Sequence, residues 1–248
     1  MTQNHWQRFC VWSGIITPLL FFVAFAAGHW VPPLSPSVSA TDIAAHYREH
    51  TTGIRIGGVL MMMSGMFYAS YTAVISAQMA RIKGVHPAVV LTQSIAGASA
   101  CITFMLPGLL FVVAAFRPER SPELTQMLND LVWIVLVMPW PPFMVQNFAF
   151  AFAILTQDMS QELFPRWLAY LNIWAPIVFT PAVLLPFFKS GPFAWNGIFV
   201  LWVPGLVFVI QFVMNVRYLH RAVGAPETTP YLEDPRARDL REGSLHAE

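Results

Sequence analysis

Apolar residues run along this chain in long blocks separated by short polar connections. Continuous blocks of about twenty residues, rather than amphipathic spacing, are the length a helix needs to cross a bilayer. Six such blocks predict six spans: Cys10 to Trp30, Ile54 to Ala80, Pro87 to Phe116, Asn129 to Leu155, Trp167 to Phe188 and Gly197 to Val216. The expected fold class is an all-α membrane protein, with one six-helix transmembrane domain over residues 1–221 and a polar, disordered cytoplasmic tail over 222–248. The first block carries Ala24-Phe25-Ala26, a small-residue pattern seen at signal cleavage sites, but its length favours a retained helix.

Between the first two blocks lies a polar connection that opens on Pro32, Pro33 and Pro36. Ser39 or Thr41 is placed to cap a short helix from Asp42 to His50 on the extracytoplasmic side. In the second block Gly65, Ala69, Ala73 and Ala77 recur every four residues, a small-residue stripe that lets a neighbouring helix approach. Ser64, Tyr68, Tyr71 and Thr72 share another face, which should look inward because lipid cannot satisfy hydroxyls. Residues 117–128 read as a polar connection, with Arg117, Glu119, Arg120 and Glu123.

The fourth block contains Pro139, Pro141 and Pro142 and then Gln146-Asn147. Proline supplies no N–H and biases the preceding residue away from helical angles. The helix should therefore stop near Val137 or Met138 and restart after Pro142. The carbonyls of Ile134 to Val137 then need other partners, and Trp140, inside the break, can close a cavity.

Composition narrows the functional classes. Only 11% of residues are charged, and the formal net charge of +1 gives no field for nucleic acid. No Asp, Glu, Lys or Arg falls in the central part of a span, which argues against a proton-coupled pump. Blocks one and five echo one another faintly, Trp12 to Phe22 against Trp174 to Phe188, which does not make the three-plus-three duplication of an inverted-repeat transporter. Cys10 and Cys101 lie in different blocks without metal-type spacing, and neither a disulfide nor a cofactor is expected.

Six spans place both termini on one side. Arg8, Arg81, Lys83, Arg166, Arg217 and Arg221 lie near helix ends there, against Arg48, Arg55, Arg117, Arg120 and Lys189 opposite. That margin favours cytoplasmic termini. Tyr71, Gln146, Asn147 and Gln211 then come late in inward-running spans, and Gln93 comes early in an outward-running one. All fall in the membrane half nearer the termini. Two readings stay open: a water-accessible vestibule lined by amides and phenols, or interhelical hydrogen bonding.

His46-Tyr-Arg-Glu-His50 has the H-x-x-E-H order of inverted zinc peptidases. On a helix Asp42, His46 and His50 share a face, with Glu49 as base or further ligand. The motif is short and no further acidic ligand is evident, so a solvated helix on the membrane surface is the preferred reading and no metal is expected.

The run from Ile43 to Leu60, a short helix of the form I-A-x-x-Y/H-x-x-H after a proline-rich loop and before an arginine-bearing span, resembles a pattern in small bacterial multi-pass membrane proteins with no assigned activity. The resemblance implies the six-span architecture and carries over no catalytic residue.

The reading that follows is an integral protein of a bacterial cytoplasmic membrane, binding or passing a small neutral apolar or amphipathic molecule. Its expected ligand-binding residues are Trp140, Gln146, Asn147, Tyr68, Tyr71, Gln93 and Gln211. The alternative is a non-catalytic structural or assembly subunit, with other membrane subunits or a second copy as partners. A membrane-embedded metal-dependent hydrolase using Asp42, His46 and His50 is the third.

Overall fold

The computed structural model describes residues 3–158 and 162–225. The tail expected over 222–248 lies outside them beyond Ala225. Among the described residues the chain is all-helical, with no strand, and six segments are long and apolar enough to cross a membrane. Span one is α1 (Gln3–Ala27), and a short helix α2 (Ala40–Glu49) leads into span two, α3 (Thr51–Met79). Span three is α4 (Pro87–Ala100) followed by α5 (Ile102–Phe116), and span four is α6 (Pro122–Val137) followed by α7 (Pro141–Thr156). Span five is α8 (Arg166–Ile177) continued by a 3-10 segment (Thr180–Phe187). Span six is a π-turn (Ile198–Trp202) running into α9 (Val203–Gly224).

Local chemistry explains the boundaries. Ser39 accepts the N–H of Asp42 at 3.2 Å and starts α2. Span four begins at Pro122 rather than near Asn129, because Ser121 accepts the Leu124 N–H and Pro122 and Glu123 suit a first helical turn. Charge density there reads as loop, yet the cap sets the start. Span six likewise continues past Val216 to Gly224. Its end is held by Arg81, which donates to the carbonyls of Ala222 (2.6 Å) and Ala225 (3.1 Å). Arg55 does the same for α5, donating to Ala115 and Phe116 at 3.1 Å each. A guanidinium fork satisfies carbonyls that a helix end leaves without donors.

These clamps also identify the two ends of the bundle. Gln7 accepts from Gln78, next to Arg81 on the end of α9, so the start of α1 and the ends of α3 and α9 meet at one end. We call this the terminal end, and the opposite one the far end. Two clusters of buried apolar side chains fill the bundle. One surrounds Tyr68, Tyr71, Phe150 and Phe212 toward the terminal end. The other surrounds Trp30, Tyr47, Phe111 and Trp133 toward the far end. Phe21 touches both.

Close helix contact depends on glycines other than most of the expected stripe. Gly65 does pack on the Cys101 carbonyl and Met105, but Ala69, Ala73 and Ala77 are exposed. Each four-residue step turns a helix by about 40° beyond a full circle, so the stripe drifts off the contact face within a few steps. Gly57, against α1, and Gly58, against α5, make the tight crossings instead.

Candidate functional site

Both pieces of span four fall short of a crossing alone, and the break between them is brief. Met138 still donates to Ile134 at 3.0 Å, and the Trp140 N–H turns back to the Met138 carbonyl at 2.8 Å. The helix restarts at Pro141 rather than after Pro142, because the first helical positions need no N–H donor. Thus Ile134 and Met138, two of the carbonyls around the break, are satisfied by the chain itself.

Three other spans leave regular α geometry near the same gap. Span three tightens for one residue at Cys101, whose N–H turns to the Ala98 carbonyl at 3.2 Å while its angles stay helical. Span five tightens after Ile177, where Pro181 cannot donate and the Thr180 hydroxyl bonds the Ile177 carbonyl at 2.8 Å instead. Span six begins as a π-turn. Irregular backbone at membrane depth is tolerated where it is buried in protein or lines a cavity, and π-turns recur at functional sites. Here the irregular segments surround a cavity of about 410 Å³. Thr103 and Phe104, Pro139 and Trp140, Phe179 and Ala182, and Val200 to Trp202 all contribute to its wall. Phe25 and Trp30 belong to the far-end cluster, Phe104, Phe143 and Phe208 to the terminal-end cluster, and all five line it. The cavity is the gap between the two halves of the core. Its volume is within the range of small-molecule sites.

Of the expected ligand-binding residues, Trp140 lines this cavity and is half-buried. The others are not among its lining residues; toward the terminal end Tyr71 packs on Phe212 and the rest enter two hydrogen-bond networks. Gln146 donates through Nε2 to the Tyr68 hydroxyl, and its Oε1 accepts from Thr72 at 3.4 Å. Gln93 donates to Thr72 at 2.9 Å and accepts from Ser76, which also meets Ser94 at 2.7 Å. This ties α3, α4 and α7 together. Gly97 permits it, since a Cβ there would fall on the Thr72 hydroxyl.

A second network joins α7, α8 and α9. Gln211 donates to Asn147 and, at 2.9 Å, to Asn172. Asn172 and Asn215 exchange bonds at 2.9 and 3.0 Å. Tyr71 is fully buried against Phe212, ring centroids 4.9 Å apart. The amides that share one depth are thus buried and mutually bonded, and the Gln211 Oε1 alone among these side-chain atoms has no partner. This is the interhelical-bonding arrangement rather than an open vestibule.

In the H-x-x-E-H segment the histidines pack on one another while Asp42 is bonded to Ser39. The exposed Asp42 accepts from Ser39 at 2.6 Å. His46 and His50 pack with ring centroids 4.7 Å apart, and His29 stacks on His50 at 4.0 Å. Among the described residues no group of three His, Cys, Asp or Glu is placed to hold a metal ion. Sequence spacing offered no sign of His29, which reaches the cluster because it closes span one with φ of 55°. Tyr47, between the histidines, points the other way and donates to Asn129 at 3.2 Å, its phenol pushed far up by burial and by Asp130.

Burial, then repulsion from His50 and His29, lowers the His46 pKa below its usual 6.5. The sign follows: below about pH 6.5 the unfolded chain takes up this proton before the folded one does. His46 therefore costs stability as the pH falls from about 6.5 toward its lowered folded value, and nothing above. Thermal unfolding of His46→Gln in detergent should lose less midpoint than the parent between about pH 7.5 and pH 5.5. Parallel losses would exclude His46 as the cause.

Compared with protein-family models, curated proteins and solved structures, the chain matches none of them.

Proposed function

We propose that this is an integral protein of a bacterial cytoplasmic membrane, termini on the cytoplasmic side, which binds or passes a small neutral apolar or amphipathic molecule. The cavity between the two core clusters carries the reading. Six apolar spans support a membrane setting, in which such a chain would contact lipid. A tightly packed bundle needs no gap of this size between the two halves of its core. Four spans depart from regular α bonding around this one gap, which is why we read it as a site. The absence of charged side chains from the wall suits a neutral ligand. Trp140 supplies a broad ring at the break, and the amide networks hold the terminal half rigid beneath it.

Native mass spectrometry of protein released gently from detergent should show a bound apolar species. Trp140→Ala should lower its occupancy about tenfold, the equivalent of roughly 1.4 kcal/mol of lost aromatic contact. Bare protein, or unchanged occupancy in the variant, would sink the reading. The same spectra give subunit number, which bears on a second reading as a structural or assembly subunit. Exposed Ala69, Ala73 and Ala77 favour that one, as small side chains available to another helix.

A further inference from the structure

We infer that the occupant of this cavity is the hydrocarbon chain of a membrane lipid, entering sideways from the bilayer between α1 and α9. The inference rests on the cavity being a ligand site and goes on to name what fills it and by which route.

The wall is mostly apolar and suits hydrocarbon better than a polar solute. Among the lining residues there is no ionisable side chain. The Thr103 hydroxyl is committed to the Ala100 carbonyl at 2.7 Å, and the Trp202 indole N–H to the Asn196 carbonyl at 3.2 Å. The Trp30 and Trp140 indoles and the backbone at the break are the other polar groups beside this space, so a ligand rich in hydrogen-bonding groups would leave most of them short of partners, at a cost of several kcal/mol each. Hydrocarbon brings none.

The rim indicates the route. Phe22 on α1, with Trp202 and Leu206 at the start of span six, line the cavity while being 41%, 47% and 64% exposed. All three lie in segments long and apolar enough to cross a membrane, where a bilayer would cover them with acyl chain rather than water. Between Trp202 and Leu206 stands Gly205, also on the lining, whose Cβ position has no atom within 4 Å. The seam is open where a side chain would otherwise stand. Inward from it, Phe104, Phe143 and Phe208 form a floor that is at most 8% exposed, out of reach of bulk lipid. Beyond the floor, Tyr68 and Phe212 pack on Phe104 and Phe208, and Tyr68 joins the first amide network, closing the terminal side.

The orientation of the occupant follows. Val31, on the loop that leaves span one at the far end, also lines the cavity and is 60% exposed. Below it the slot follows the last turns of α1, from Ala27 to Phe21, roughly 9 Å at helical rise. A lipid can leave its headgroup at the far interface and insert a chain to the floor without desolvating anything polar.

The test uses the full chain in phosphatidylcholine vesicles that contain a phosphatidylcholine with a diazirine near the end of one acyl chain. After irradiation, adducts are mapped by peptide mass spectrometry. The inference expects adducts on Phe104, Phe143 or Phe208, alongside those on Phe152, which is exposed on α7 and serves as the bulk-lipid reference. Gly205→Phe, filling the open seam, should lower floor adducts about tenfold and leave Phe152 unchanged. Gly205→Leu provides a smaller plug should the phenylalanine variant not fold. Floor adducts undiminished in both would overturn the α1–α9 route. A floor that the lipid probe never reaches overturns the lipid-chain inference, and trifluoromethyl-phenyldiazirine, a small uncharged probe, then separates the causes. If it labels the floor, the cavity remains a site for a small molecule; if it does not, that reading falls too.

Discussion

Gly58→Val should be among the most damaging single substitutions in this protein, lowering stability by about 3 kcal/mol or more. A Cβ at Gly58 would stand 2.6 Å from the Gly108 carbonyl oxygen and 2.8 Å from a methyl of Val112. The approach is reciprocal, because a Cβ at Gly108 would meet the Gly58 carbonyl at 2.5 Å and the Met62 nitrogen at 2.7 Å. Overpacking usually costs about 1 to 3 kcal/mol because neighbouring side chains can shift. Here the obstacles are mainly backbone, so α3 and α5 must separate along their length. Without a hydrophobic force between helices in lipid, that van der Waals contact is what holds them. Ala69→Val, on the same helix but exposed, is the control and should stay within about 0.5 kcal/mol. Unfolding titrations in mixed micelles that cannot tell the two variants apart would refute the crossing.

The second large effect is expected at Gln146. Gln146→Leu removes the donor to the Tyr68 hydroxyl and the acceptor of Thr72. Thr72 keeps its bond from Gln93, but the Tyr68 phenol is fully buried and loses its partner. An orphaned buried hydroxyl costs about 1 to 3 kcal/mol, and interhelical bonds in membranes about 0.6 to 2 kcal/mol. A total near 3 kcal/mol is expected. Tyr68→Phe removes the orphan, so the double variant should cost clearly less than the sum of the two singles. Strict additivity in that cycle would mean the two side chains do not depend on one another.

Much of this architecture is legible in the residues, and the limits have identifiable causes. Six apolar blocks foretell six membrane-length segments because block length is a one-dimensional property. The stop of α6 at Val137 is legible because Pro139, Pro141 and Pro142 act locally, through a missing N–H, while the restart falls at Pro141 rather than after Pro142. The common depth of Gln93, Gln146, Asn147 and Gln211 is also legible, since span direction and position along a span determine it. Which amide meets which is not, because that depends on how each helix is rotated about its axis. Hence the pairing of Gln146 with Tyr68, and of Gln211 with Asn147, emerges only in three dimensions.

The cavity is the least legible feature. Phe104, Phe143 and Phe208 have the same composition as residues that merely face lipid, and nothing along the chain marks them as a floor. Ser121 and Pro122 show the opposite case. Their cap signal is explicit, but the charges around them outweigh it when the connection is read by polarity alone.

The second amide network also bears on how the protein is made. Asn147, Asn172, Gln211 and Asn215 sit on spans four, five and six, so two of the four members arrive with the last helix. Within the first network Tyr68, Thr72, Ser76, Gln93 and Ser94 precede Gln146 along the chain, and that set can close once span four is inserted. Asn147 and Asn172 must instead wait in the bilayer, each holding only the carbonyl four residues before it, of Phe143 and of Leu168. That local bond shelters an amide during the interval before α9 arrives. Insertion of span six is therefore the step that locks the bundle, and a nascent chain stopped before it carries two asparagines whose interhelical partners have yet to be synthesised.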